Sequence, residues 1–254
     1  MIDRILAHLR KMDEAVVDEV RPLRHCTALL TPELPLVWQL NSLRIDDATA
    51  GPEALVGEAD RALAEYGHRK LVTHDPGLGK RLSGPLTAAG WNAFRLLVMV
   101  RDGALGRAVP ASPGAEIDRA AGAAGLAAFR REQPFGWQEA AVEQLAGMDD
   151  RYTEAAGARD FAAPPGDPAC VCRLYSSDGV GQVDEVGTIE ARRGRGHGSA
   201  AVLAAVAAAE SEGLDPIFLL TDANDWPRRW YGTLGFSAIA SVYEFLKLPV
   251  DSRT

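Results

Sequence analysis

The chain has 254 residues, 47% of them hydrophobic, which allows one large or two ordinary domains with a substantial core. A net charge of −8 argues against a general nucleic-acid surface, and three cysteines (Cys26, Cys170, Cys172) make no disulfide framework. No run reaches the ~18 apolar residues of a membrane helix, and residues 1–10 lack a signal-peptide apolar core, so the expected location is cytoplasmic.

Ile2, Ile5, Leu6, Leu9, Met12, Val16, Val17 and Val20 keep helical spacing with an acidic outer face, and Pro22 ends that helix. Cys26–Leu30 and Leu36–Ile45 read as strands around a Pro-containing turn at Thr31–Pro35. Pro52–Tyr66 reads as a helix, with proline in its first turn and Gly67 as its stop. Lys70–Thr73 reads as a strand, Leu82–Ala89 as a helix and Trp91–Val100 as a strong strand. Asp75-Pro-Gly-Leu-Gly-Lys80 invites a phosphate-loop reading, but His74 occupies the first glycine position and Arg81 replaces Ser/Thr; it reads as a turn. Asp102–Gly114 is rich in Gly, Ala and Pro and marks a domain boundary, giving domains 1–105 and 106–254.

In the second half, Ala115–Arg131 and Gln138–Leu145 read as helices, joined by Pro134-Phe-Gly-Trp137. Packing in a core is the commoner fate of such aromatics, with a substrate-facing role as the alternative. Asp149–Pro168 reads as a polar loop. Ala169–Tyr175 and Val180–Thr188 form a hairpin around Ser176-Ser-Asp-Gly179. Cys170 and Cys172 share one face of a strand, which fits packing; a metal would need more ligands, and none is expected.

The informative stretch is Val183–Ala201: a strand, a turn in which Gly194, Gly196 and Gly198 alternate with Arg195 and His197, then an alanine-rich helix. A helix N-terminus with unpaired N–H groups, flanked by Arg192, Arg193 and Arg195, reads as a pyrophosphate cradle. The glycine spacing is not that of a dinucleotide fingerprint, and no lysine follows as a Walker loop requires. The pattern [Q/R]-x-x-G-x-[G/A], read as Arg193, Gly196 and Gly198, resembles the coenzyme A loop of the GNAT N-acetyltransferase superfamily. Downstream, Pro216-Ile-Phe-Leu-Leu-Thr-Asp222 reads as a buried parallel strand, and Tyr231-Gly-Thr-Leu-Gly-Phe236 resembles the family's Y-x-x-x-G-F, with Ser237–Leu248 as a closing strand. The resemblance covers roughly Ala169–Leu248, with the elements in family order.

The resemblance implies an α/β (α+β) GNAT-like acyl-CoA N-acyltransferase fold, with a mixed, mostly antiparallel central sheet and flanking helices. It implies acetyl-CoA as co-substrate and a primary amine of an unidentified acceptor as partner, without nucleic acid or membrane. The amides of Val186, Gly187 and Thr188 would pair with the pantetheine arm, and Arg193, Gly194, Arg195, Gly196, His197, Gly198 and Ser199 would hold the pyrophosphate. Asn224 sits where the family often has an asparagine near the pantetheine. Tyr231 matches the general acid to the leaving thiolate. For the base, Asp184 and Glu185 lie on the strand that splays; alternation sends them to opposite faces unless a bulge intervenes, and Glu185 is preferred. The competing function is a non-catalytic acyl-CoA-binding or regulatory module.

The first half reads as a worn copy of the second. Leu71-Val-Thr-His-Asp75 parallels Leu219-Leu-Thr-Asp222, and Gly90-Trp91 parallels Gly235-Phe236, at a domain-sized period of about 146 residues. Asp46–Ala54 carries no arginine and only Gly51, and Leu86 stands where the second half has Tyr231. A degenerate N-terminal domain that no longer binds coenzyme A is expected, packing against the second domain and walling the substrate cleft, in a tandem that is a monomer or a homodimer.

Overall fold

The aliphatic runs of both halves join a single sheet. The computed structural model describes residues 1–102 and 113–248, so the expected boundary at 105/106 lies outside the described residues. The first half contains α1 (Ile2–Ala15), β1 (Glu19–Pro22), β2 (Cys26–Leu30), β3 (Ser42–Ile45), α2 (Pro52–Ala62), β4 (Arg69–Thr73), α3 (Pro76–Ala88) and β5 (Asn92–Arg101). The second contains β6 (Ala115–Ile117), α4 (Arg119–Arg131), α5 (Glu139–Ala156), β7 (Arg159–Ala163), β8 (Cys170–Ser177), β9 (Val180–Thr188), α6 (His197–Ser211), β10 (Ile217–Asp222), α7 (Pro227–Thr233) and β11 (Phe236–Lys247).

The strand order is β1-β2-β3-β4-β11-β5-β10-β9-β8-β7-β6. The sheet is largely antiparallel, and the parallel pairs are β3/β4 and β9/β10. Both parallel pairs are short, matching Leu43 with Leu71 and Arg44 with Val72, and Ile217 with Gly181 and Phe218 with Gln182. Beyond those residues the strands part. Each half repeats the same course of parallel pair, helix and final strand, and the two final strands cross over. β11 lies between β4 and β5, and β5 lies between β11 and β10.

Strand alternation divides the core between two faces. On one face, α6 and α7 pack against Leu97, Met99, Phe161, Leu219 and Phe236, while α2 and α3 pack against Leu43, Leu71, Tyr243 and Phe245. On the other, Ile5 and Leu9 of α1 meet Val98, Val100, Phe218 and Val242, and Met148 of α5 joins Met12, Val16 and Tyr175. The crossed strand is seated tightly. A Cβ on Gly79 of α3 would lie 2.2 Å from the Tyr243 ring and 2.8 Å from its Cβ on β11. Gly79→Ala must therefore displace helix or strand, and it is expected to destabilise the chain by about 1–3 kcal/mol. A thermal melt at the wild-type midpoint would contradict that seat.

Several elements differ from the sequence reading. The first helix stops at Ala15, and Glu19–Pro22 becomes an edge strand against β2. The expected strand Leu36–Ile45 is split by a 3₁₀ turn at Trp38–Leu40. Asn41 accounts for this: its Oδ1 accepts from the Thr31 amide (2.8 Å), and its Nδ2 donates to the carbonyls of Leu34 (2.9 Å) and Val37 (3.1 Å). Asp75 caps α3, accepting from the amides of Gly77 (2.7 Å) and Leu78 (3.1 Å), so the helix begins at Pro76 within the supposed turn. Asp118 likewise caps α4 after the short strand β6. The expected loop 149–168 instead holds the end of α5 and strand β7. Two of its charges, Asp149 and Asp160, are buried: Arg173 bonds Asp160 (2.8 Å) and lies 3.2 Å from Asp149. Phe135 and Trp137 are exposed rather than core residues.

Candidate active site

The glycine turn has the backbone its composition predicts. After β9, Gly194 and Gly196 sit at φ +75° and +83°, where a side chain would be strained, and α6 starts at His197. Among the described residues no side chain caps α6, and its first internal bond runs from the Ala200 amide to the Gly196 carbonyl (3.0 Å), leaving the amides before it for an anion. Arg193 and Arg195 are exposed beside them; the Arg193 Nε donates to the Thr188 carbonyl (3.1 Å). The Nδ1 of His197 is buried without a hydrogen-bond partner among the described residues. Bare amides, the positive helix end and full charges together fit a diphosphate. The Ser199 hydroxyl has another task, accepting from Trp230 Nε1 (3.0 Å), and Gly198 admits the same ring: a Cβ there would lie 3.2 Å from it. Both residues dock α6 on α7.

The splay of β9 from β10 exposes one edge of β9. The Ile189 amide donates to the Ala169 carbonyl on the β8 side (2.9 Å), so alternation turns the backbone groups of Val186 and Thr188 to the open edge and those of Gly187 towards β8. Gly187 instead makes room for Phe129 of α4, whose ring would lie 2.4 Å from a Cβ.

A bulge resolves the choice that strand alternation posed for the acidic pair. The β8/β9 register shifts between Val171 and Arg173, and Glu185 takes φ +51°, so Asp184 and Glu185 both line one cavity. Their states differ. Glu185 accepts from Arg130 (2.9 Å), a buried guanidinium that also grips Asp149 through two bonds of 2.7 and 2.9 Å. Among the described residues Asp184 has no cationic partner; it accepts from the Gln182 side chain (2.7 Å) and the Glu185 amide (2.8 Å). Burial, followed by the charge of Glu185, pushes its pKa up to about 6.

Tyr231 lies on the α6 side of the sheet, buried against Trp230 and Phe236 with ring centroids 4.6 and 6.0 Å away. Burial first, then the charge of Asp184, holds its hydroxyl far above the ordinary phenol range, so it stays protonated. The two groups thus sense each other through the β9–β10 gap from opposite faces. Asn224 is exposed on the turn after β10, its amide bonded to Asp222 Oδ1 (2.7 Å).

The cavity has a volume of about 340 Å³ and is walled by both halves: Asp13 of α1, Arg44 of β3, Lys70 of β4, His74 just after it and Glu244 of β11 face Asp184, Glu185 and Asp222. Tyr152 and Tyr175, stacked at 4.9 Å, also border it. Burial, with Arg44 next, lowers the His74 pKa to about 4, so that ring is neutral. The sequence reading expected the first half to wall the substrate cleft but named none of these residues, because nothing local marks side chains that meet through crossed strands; it also missed Arg130, whose partners Asp149 and Glu185 are distant in the chain. Among the described residues, no group of His, Cys, Asp and Glu is arranged to hold a metal ion, and no helix is long and apolar enough to cross a membrane.

Residues 124–236 match the model of the Acetyltransferase (GNAT) family. This stretch is a GNAT domain. Its span runs from α4 through the glycine loop to Phe236 and contains both Asp184 and Tyr231. The fold is shared more widely. A functionally unknown conserved protein from Staphylococcus epidermidis superposes with a TM-score of 0.66 at 13% identity, over 91% of this chain and 94% of that one. A GCN5-related N-acetyltransferase from Kribbella flavida gives 0.58 at 19% identity, over 97% and 95%. A tandem GNAT protein from the clavulanic acid biosynthesis pathway gives 0.50 at 13%, over 82% and 75%. At such identities the likeness is one of fold. No curated protein matches the chain. The GNAT family is one of acetyltransferases, so acyl transfer is the chemistry to which the site's geometry answers.

Proposed function

We propose that the protein is an N-acetyltransferase that moves the acetyl group of acetyl-CoA to a primary amine. The observation that carries this reading is the pairing of an unneutralised carboxylate, Asp184, with a protonated buried tyrosine, Tyr231, across a strand gap that leads from the glycine loop. Coenzyme A would supply the acetyl thioester. The loop amides after Gly196, with Arg193 and Arg195, would hold its diphosphate, and the open-edge groups of Val186 and Thr188 would pair with its extended arm as an added strand.

Asp184 takes the proton from the acceptor ammonium, directly or through one water, which frees the nitrogen lone pair for the carbonyl carbon. The C–N bond forms as the C–S bond breaks; Tyr231 gives its proton to the leaving sulfur and is restored, through water, by the second proton that the new amide nitrogen sheds, while Asp184 returns its own to solvent. Asp184 is better suited to the base role than Glu185, because Glu185 is already bonded to the Arg130 guanidinium, whereas Asp184 has no cationic partner among the described residues. Glu185 then positions Asp184 through its amide. The tandem reading is supported by the repeated course of the two halves and by the crossed strands. The counterpart of the loop in the first half is acidic, with Asp46 bonded to Thr27 and Asp47 to His25, and Leu86 is fully buried, so the first half is a wall and not a second catalyst. Three free, buried cysteines suit a reducing cytoplasm.

Thiol release from acetyl-CoA over an amine panel tests the reading. Tyr231→Phe should bind coenzyme A as the wild type does and lower turnover about 100-fold or more. Undiminished turnover in that variant would leave Tyr231 a core residue only.

A further inference from the structure

Among the described residues the cavity has fewer cations than carboxylates, and its cations are engaged. Arg44 contacts Glu14 (2.7 Å) and Asp46 (3.2 Å), Lys70 contacts Glu244 (2.9 Å), and Arg130 holds Glu185. Asp13, Asp184 and Asp222 all face the cavity and have no cationic partner among the described residues. They fall at two ends. Asp184 and Asp222 flank the β9–β10 gap, where the chemistry is placed. Asp13 comes from α1 and lies among Arg44 and Lys70 of the first half and Glu244 of β11. Between them the sheet floor is apolar, formed by Leu96, Leu220 and Val242. Tyr152 also lines the cavity.

Resting on the acetyl-transfer reading of this same site, we propose that the acceptor is a short aliphatic diamine, with the reacting nitrogen at Asp184 and Asp222, the methylenes on the apolar floor and the second ammonium on Asp13. A cavity with unneutralised carboxylates at both ends and an apolar middle matches a dication and does not match a monoamine. An amino acid would bring its carboxylate towards Asp13 and Glu244, where both local cations already have partners. Burial pushes the Asp13 pKa up to about 7, against the opposing effects of Arg44 and Lys70, as expected of a carboxylate that lacks a countercharge. The first half thereby acquires a role, selecting the acceptor by its far end.

Calorimetric titration of the full chain with putrescine and with butylamine, without acetyl donor, tests this. Putrescine should bind at least about ten-fold tighter than butylamine, a margin of ~1.4 kcal/mol. Asp13→Asn should bring the ratio close to one, and Asp13→Glu should restore part of it. Circular dichroism checks that both variants are folded. Equal affinities in the wild type, or an unchanged ratio in a folded Asp13→Asn, would overturn the proposal. Thiol release separates it from the wider reading. Release with both amines and no discrimination sinks the diamine alone. Tight, Asp13-dependent binding of putrescine with no release under any acceptor supports the diamine site and sinks acetyl transfer.

Discussion

Asp184→Asn should lower kcat about 100- to 10,000-fold and, at pH 8, raise the melting temperature. The two effects share one cause. In the folded chain Asp184 titrates at about 6 instead of 3.8, since burial and Glu185 disfavour its charge. Folding therefore favours the protonated form. That contribution is fully present below about pH 4 and is lost as pH rises through about 6, so above pH 6 the ionised group is a net burden on the fold. Asparagine removes the charge, and Gln182 can turn its amide to keep the bond that the Asp184 side chain now accepts. A gain on the order of 1–3 kcal/mol at pH 8, or a few degrees, should shrink towards zero at pH 4. Wild-type kcat/KM should fall below pH about 6 as the base becomes protonated. A variant that is less stable at pH 8 and keeps its turnover would contradict both halves of the argument.

The second large effect is on the isolated halves. Residues 106–254 include the whole proposed catalytic set, yet expressed alone they should not give a cooperatively folded protein. Both sheet neighbours of β11, β4 and β5, belong to the first half, and without them Val242, Tyr243, Phe245 and Leu246 lose their surroundings. β10 would lose β5 at the same time. Four large side chains at roughly 1.5–3 kcal/mol each approach the total stability of an ordinary domain. The isolated fragment should be insoluble or melt without a transition, and co-expression with residues 1–105 should restore a soluble complex. A sharp melt from residues 106–254 alone would mean that β11 can find another place.

How much of this was readable in the chain depended on the range of the interactions. The loop at Arg193–Ser199, the Asp178-Gly179 hairpin turn, and helix α6 are dictated by neighbouring residues, and the sequence shows them: Asp178 and Gly179 take φ +51° and +73°. Asn41, Asp75 and Asp118 act one step further out, through bonds to chosen amides and carbonyls, and their turns and caps were misplaced by a few residues. The Arg130–Asp149–Arg173–Asp160 network was hidden altogether. Its charges resemble a solvated loop until α5 and β7 bury them together. The bulge at Glu185 was foreseeable only as a possibility, because Arg130, 55 residues away, holds the displaced side chain. The crossing of β5 and β11 has no local signature. It is also what brings Asp13, Lys70 and Glu244 to the site.

Hydrogen–deuterium exchange with and without coenzyme A is the most direct test of where the chemistry sits. The ligand should slow exchange at Val186 and Thr188 and from Gly194 to Ala200, and should leave Asp46–Ala54 unchanged. Unaltered exchange across the glycine loop, or protection appearing in the first half instead, would show that the site has been placed in the wrong half of the molecule.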